Sequence, residues 1–536
     1  MTTQASTYPE FGKLRGILWP IQRFEMLKFI PMFFMFFFIS LNYSVLRIVK
    51  DSLIINAPGS GAEALPFLKL WCTTPGAILM MIFYVKLSTV LDRKKLFYAT
   101  LAPFLVFFLL FPLILNPWAH VIHPTASADW LQSVLPHGLW GFVAVYRNWT
   151  YSLVYVFSEL FGSVVLSTLF WGFANEITKV DEAKRFYGLL TIGANVALLF
   201  VGPFVKFANS LGDFNNSINL ITLVVAGNCI AIALIYWYIN NRVIVRPEFA
   251  ITEFKKSKKK EKLGFFASVV ELSKSRYLAL LAILVLAYGV SINLVEVSWK
   301  HYLKVLFAGD KEAFLGFQGN VMSYTGLVTI LLLFFGTGNV IRRFGWTVAA
   351  LLTPILMLLT SLVFFANITF EHVLMGMLVT LGTTPLWIAA VVGGAQNVLS
   401  KSTKYAFFDP TKEMAYIPLE EQTRRTGKAA IDGVGGRLGK SGGAAVNMVL
   451  IGVLGSIEAI TPYVAVISIG IIAIWLVCSV ALGKRFNVLT KQRSEEQKMA
   501  AQKNELSAKS SAEFNANSAK KVPSDSSSDS AVPQGI

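Results

Sequence analysis

The sequence predicts an all-α polytopic membrane protein of twelve transmembrane helices, arranged as two pseudo-symmetric six-helix halves. Three observations carry that expectation. Of the 536 residues, 54% are hydrophobic and only 15% charged, with a mean hydropathy of +0.58; a soluble domain carries about 25% charged residues. The apolar residues fall into twelve runs near the ~20 residues that cross a hydrocarbon core. The loops between those runs alternate between basic and neutral, as membrane topology requires.

Taken in order, the runs lie at 28–49, 66–87, 95–116, 149–171, 186–207, 218–240, 278–299, 321–339, 346–367, 372–398, 429–455 and 461–483. Basic loops follow the second run (Lys86, Arg93, Lys94, Lys95), the fourth (Lys179, Lys184, Arg185), the sixth, the eighth (Arg342, Arg343) and the tenth. Lys304 and Lys311, after the seventh, depart from the pattern. The bias places both termini in the cytoplasm. Residues 1–27 then form a cytoplasmic N-terminal segment, 28–240 one half, 241–277 a basic linker containing FKKSKKKEK, 278–483 the other half, and 484–536 a disordered tail. The mixed, basic stretch Gly12–Lys28 does not read as a cleavable signal, so the first run serves as its own insertion signal. The long outer segment Pro117–Asn148, with Trp118, Trp130 and Trp140, is expected to lie along the interface. The net charge of +17 sits largely in loops beside apolar runs. Topology accounts for it, so the expected partner is the lipid bilayer and not nucleic acid.

The two halves read as weak repeats. Val90–Lys94 stands opposite Val340–Phe344, Pro103 opposite Pro354, and Asn42…Lys50 opposite Asn293…Lys300, each pair about 250 residues apart. This layout is major-facilitator-like, and such carriers bind substrate between the halves near the midplane.

Ionised side chains inside spans carry the chemistry, because each costs about 2.5–3.5 kcal/mol near the bilayer centre. Arg47 and Lys50 close the first run, Lys69 interrupts the second within PFLKLW, and Glu159 is embedded in the fourth. Glu296 lies in the seventh with Lys300 one turn on. The glycine-dense stretch 427–446 carries Lys428, Asp432, Arg437 and Lys440 and reads as one wall of a polar cavity. Polar companions such as Asn195, Gln318 and Gln396 recur nearby. Mutual pairing that merely locks helices is the alternative reading. The cations outnumber the carboxylates, however, so positive charge is left over and implies an anionic substrate. Gly435–Ser441 is not a phosphate-binding loop: the glycine required six residues before Lys440 is Val434. Three cysteines and five histidines show no metal-ligand or nucleophile–base spacing. No metal, cofactor or enzymatic activity is therefore expected.

The runs PFLKLW, SELFGSVVLSTLFWGFANEITKVDEAKRFYG, LAYGVSINLVEVSWK, KYAFFDPTKEMAYIPLEE and GKAAID…LGKSGG closely resemble the nucleotide transporters of plastids and obligate intracellular bacteria. These are ATP/ADP antiporters, ADP/ATP translocases of the non-mitochondrial type. The resemblance spans residues 20–485. It implies four essential charges: Lys69, Glu159, Glu296 and Lys440, with Lys428 the alternative for the last. Arg437 departs from the expected pattern and leaves the nucleotide preference open. What the resemblance implies is exchange of external ATP for internal ADP, with or without phosphate, by alternating access. The implied carrier is functional as a monomer in the inner membrane of a bacterium. Lys69 and Lys440, with Arg47, Lys50 or Arg437, would hold the polyphosphate. Glu159 and Glu296 would hold these cations when the site is empty, and Asn195, Lys300 and Asp432 complete the expected set. A proton-coupled nucleotide importer and a carrier of another organic phosphate are the alternatives.

Overall fold

The computed structural model describes residues 19–249 and 275–519, and these are helical almost throughout. We label the long helices α1 Met26–Ile55, α2 Ala64–Val90, α3 Arg93–Leu115, α4 Trp149–Ile177, α5 Arg185–Asn209 and α6 Phe214–Val243. After residues 250–274, which lie outside the described chain and include most of the expected linker, come α7 Arg276–Leu306, α8 Lys311–Leu331 and α9 Thr337–Thr369. The last are α10 Pro385–Ala415, α11 Gly436–Leu454 and α12 Ile457–Arg493. Among the described residues nine helices are long and apolar enough to cross a membrane, or ten if one sharply bent pair counts as a span.

The packing partners of the two sets correspond. Helix α1 packs on α4, α5 and α6, and α7 packs on α10, α11 and α12. Likewise α3 lies against α6 and α9 against α12, with Pro103 inside α3 and Pro354 inside α9. The sets meet through α5–α8, where Gly202 and Gly319 allow close approach, and through α2–α11, where the Thr74 and Ser441 hydroxyls lie 3.4 Å apart.

Three sequence expectations shift. Of the expected connection 340–345, Val340–Phe344 is helical and the chain breaks at its last residue, Gly345, whose φ of 83° only glycine adopts without strain. The unbroken run Lys311–Thr369 would otherwise extend ~88 Å, about three hydrocarbon thicknesses. The span expected at 372–398 is bent by 98° between Thr380 and Pro385. There Gly382 has a φ of 73° and Thr384 caps the new helix by accepting from the Trp387 N–H, so the straight segment begins at Pro385. The tail expected to be disordered continues α12 as helix to Ala519, in keeping with its many good helix formers (Ala, Lys, Glu and Gln); residues 520–536 lie outside the described chain.

Among the described residues, five of these helices contain a π-helical turn, at Leu68–Thr73, Phe111–Leu115, Gly162–Phe170, Ile239–Val243 and Lys404–Phe408. Two more such turns, Leu332–Gly336 and Ala429–Gly435, join α8 to α9 and lead into α11. Proline accompanies three of them (Pro75, Pro112 and Pro410), where the missing N–H interrupts the α ladder. Hydroxyls five residues on satisfy carbonyls that the wide turn leaves open: Thr74 to Lys69 O at 2.9 Å, Ser167 to Gly162 O at 3.2 Å, Thr337 to Leu332 O at 3.2 Å. In a bilayer such internal satisfaction is obligatory.

Between α3 and α4 the chain forms the short helices Ala119–Ile122, Thr125–Val134 and Trp140–Arg147 over the end of the bundle remote from the termini. Arg147 ties this cap together by donating to Asp129 at 2.5 Å and Gln132 at 2.9 Å. His137 Nδ1 lies 2.7 Å from the carbonyl of Gly455, just past α11.

Candidate functional site

Buried charge gathers where α1, α4, α7 and α10 approach one another. On α1, Lys50 Nζ lies 2.7 Å from Asp51 Oδ1, 3.2 Å from Glu159 Oε1 of α4, and 3.9 Å from the centre of the Tyr155 ring. On α7, Lys300 Nζ lies 2.6 Å from Asp51 Oδ2 and 3.0 Å from Glu296 Oε1. Lys401 of α10 reaches the same Glu296 oxygen at 3.3 Å. Lys50, Asp51 and Lys300 are each at most 4% exposed. Side chains so dry keep their charge only by sharing counterions.

Lys69 joins from the π turn of α2, donating to Asn293 Oδ1 of α7 at 2.6 Å. From that turn the side chain reaches across to the other set of helices, and such turns are frequent at functional sites. Arg47 lies one turn before Lys50, over the Tyr43 ring, within electrostatic reach of both Glu159 and Glu296. Lys440 is exposed on α11, and its field reaches Glu159 across the two sets. The wall that carries it approaches α7 closely: a Cβ on Gly289 would meet Gly439 Cα at 2.9 Å, and one on Gly443 would meet Asn293 Cβ at 2.9 Å. The glycines of 427–446 thus do admit a neighbouring helix, and that helix is the one bearing Glu296 and Lys300.

Of the expected set, Arg47, Lys50, Lys69, Glu159, Glu296 and Lys300 come together, with Lys440 at the margin. Three do not. Asp432 pairs with Lys412 at 2.7 Å, in a separate cluster toward the termini where Lys428 also pairs with Glu413. Its charge is absorbed by a neighbour from α10 that only tertiary structure brings beside it. Arg437 is exposed and has no ion-pair partner among the described residues. Asn195 donates to Thr191 O of its own helix and lies at the α5–α8 contact. Sequence reasoning missed Asp51 and Lys401. Both fell just outside the expected runs, yet Asp51 follows Lys50 directly and Lys401 stands one turn after Asn397, so a slightly longer helix brings either in.

Lys50, Lys300 and Lys401 therefore pair with three carboxylates (Asp51, Glu159 and Glu296). Three further cations, Arg47, Lys69 and Lys440, stand beside that network without an ion pair to it among the described residues. The arrangement can hold a polyanion and offers no nucleophile–base pair. Among the described residues no group of three or more His, Cys, Asp and Glu is placed to hold a metal ion, and Cys72, Cys229 and Cys478 are free thiols. Several hydrogen bonds between the two sets of helices lie toward the remote end. They include Gln318 to Ser52 Oγ at 3.1 Å, Lys304 to Ser60 O at 2.5 Å and Gly202 N to Ser323 Oγ at 2.8 Å. Toward the termini, Thr74–Val90 of α2 has no buried residue. The end remote from the termini is the one where α1, α7 and α8 are stitched together.

The fold is that of a known transporter. A bacterial homologue of the iron transporter ferroportin, solved in an inward-facing state, superposes with a TM-score of 0.52 at 12% identity, over 86% of this chain and 98% of its own. In sequence the chain is 50% identical over 507 residues to ADP,ATP carrier protein 1 of Chlamydia trachomatis serovar D, covering 93% of this chain and 95% of that one. It is 44% identical over 480 residues to the chloroplastic ADP,ATP carrier protein 2 of Arabidopsis thaliana, covering 88% and 76%. It is 39% identical over 498 residues to ADP,ATP carrier protein 1 of Rickettsia bellii, covering 91% and 98%. The family model for the TLC ATP/ADP transporter matches residues 4–486, and the chain belongs to that family.

Proposed function

We propose that this chain exchanges ATP for ADP across a membrane by alternating access, acting as a carrier and not as an enzyme. The observation that carries the reading is the excess of cations over carboxylates in the buried network, at the seam between two sets of helices, in a chain half identical to ADP,ATP carriers. Lys69, Lys50, Lys300, Lys401, Arg47 and Lys440 bind the polyphosphate. Ammonium groups do so as point charges, and Arg47 adds a planar fork. Glu159 and Glu296 hold those cations while the site is empty.

We read the architecture as twelve spans in two six-helix halves, 28–240 and 278–483, with 241–277 between them. The matched packing of α1 and α7, the break at Gly345 and the bend before Pro385 support that count. Basic loops near the termini support a cytoplasmic position for both chain ends. The external substrate is ATP and the internal one ADP, and a single copy forms the whole path, in a bacterial inner membrane.

Uptake of radiolabelled ATP into proteoliposomes decides the matter. Uptake that requires internal ADP and survives a protonophore supports exchange. Equal uptake into empty vesicles, driven by an imposed pH gradient, would replace exchange with proton coupling.

A further inference from the structure

Asp51 is a buried carboxylate to which exchange, as read above, assigns no task. Its Oδ1 accepts from Lys50 Nζ at 2.7 Å and its Oδ2 from Lys300 Nζ at 2.6 Å. Glu159 and Glu296 pair with lysines of their own set of helices; Asp51–Lys300 is the ion pair that crosses between the sets among the described residues. The same stretch of chain is stitched to α8 by Gln318 on Ser52, and to α7 by Lys304 on the Ser60 carbonyl. Asp51 thus sits on the seam at the closed end of the bundle.

Opening that end must part α1 from α7 and α8, and so must break the Asp51–Lys300 contact. Lys300 then loses one of its two counterions and is left to share Glu296 with Lys401, while Lys50 keeps Asp51. A dry ammonium group so depleted is unfavourable unless another anion takes the place of Asp51. Substrate phosphates bound to the same lysines supply that charge. We propose that Asp51 is a positioning residue, a latch that keeps the end remote from the termini shut in the empty protein. Displacement by a polyphosphate releases it, which makes movement conditional on cargo. The inference rests on Lys50 and Lys300 contacting substrate phosphate.

The test uses the full chain in a cysteine-free background with Ser60→Cys. Ser60 is buried at the closed seam, and its backbone carbonyl stays available to Lys304. In nanodiscs without nucleotide, Asp51→Asn is expected to raise the rate of maleimide labelling about tenfold, the equivalent of about 1.4 kcal/mol, and Asp51→Glu to stay near the parent. In proteoliposomes Asp51→Asn is also expected to let ATP into empty vesicles as a substantial fraction of its uptake into ADP-loaded ones. Labelling as slow as the parent's, with uptake still dependent on internal ADP, overturns the latch. If Asp51→Asn does not insert, Lys300→Gln breaks the same bridge from the other side and must speed labelling likewise; unchanged labelling there overturns it too. A parent protein that exchanges no nucleotide refutes the proposed function, while the labelling arm still decides the latch.

Discussion

Lys69 is held by an amide and not by a carboxylate: its Nζ lies 2.6 Å from Asn293 Oδ1, while the Asn293 Nδ2 donates to Gly289 O of its own helix. A neutral acceptor orients the ammonium without cancelling its charge, and a phosphate oxygen can replace it at little cost. Lys69→Ala is expected to lower apparent ATP affinity roughly 10–100-fold, the worth of a charged hydrogen bond, with normal insertion and monodispersity. Asn293→Asp, which cancels the charge in place, should raise the KM for ATP about tenfold on the same reasoning. Near-parental uptake by both variants removes Lys69 from the phosphate site.

Lys401 and Asp432 make a contrasting pair. Lys401 shares Glu296 with Lys300 inside the network, whereas Asp432 is spent on Lys412 outside it. Lys401→Gln should raise the KM for ATP about tenfold. Asp432→Asn should change it less than about twofold, as expected of a partly exposed ion pair. ATP dose–response curves in ADP-loaded proteoliposomes measure both, and equal effects would contradict the assignment.

The α7–α11 contact tolerates no side chain at Gly289, where a Cβ would meet Gly439 Cα at 2.9 Å. Backbone cannot give way as the end of a flexible side chain can. Gly289→Val is expected to destabilise the detergent-solubilised protein by about 1–3 kcal/mol, the usual cost of overpacking, read as a lower midpoint of thermal unfolding. An unchanged midpoint would show that the two helices are free to move apart.

Near the termini, Lys28 is 1% exposed and lies 2.7 Å from Glu182 Oε2, joining the start of α1 to the N-terminal end of the helix Val180–Leu199 that continues as α5. Glu182→Gln strands a buried cation and should cost about 3–5 kcal/mol. Lys28→Met combined with Glu182→Leu replaces the pair by apolar volume and should recover most of that loss. Thermal unfolding of the two variants side by side makes the comparison. A double variant no more stable than Glu182→Gln alone would assign the pair a role beyond charge balance.

The position of most charges was legible in the sequence for one reason: an ionised group inside an apolar run is expensive and therefore conspicuous. Lys69, Glu159, Glu296 and Lys300 stand out that way and meet in the fold. Asp51 and Lys401 did not stand out, because hydropathy places helix ends only to within a turn. Hydropathy ends the first run at 49 and the tenth at 398, whereas the helices continue to Ile55 and Ala415. The bend before Pro385 shifts α10 along its axis and brings Lys401 inside. Asp432 shows the opposite error. It looked costly alone, and only tertiary structure supplies Lys412 beside it. The break at Gly345 falls inside the expected connection 340–345. What the sequence does not reveal is that Val340–Phe344 stays helical up to it, because Arg342 and Arg343 mark a membrane edge that a helix overruns before it turns.

A π turn holds one residue more than the α-helix around it needs. Removing a residue from Leu68–Thr73 would close the wide turn to regular α-helix while leaving the flanking segments Ala64–Phe67 and Thr74–Val90 in nearly their present orientation. Lys69 would then be re-aimed without any change in its identity. Helices built this way can be retuned in lineages by gain or loss of a single residue, so an alignment gap near position 69 would be as informative about cargo as a substitution at it.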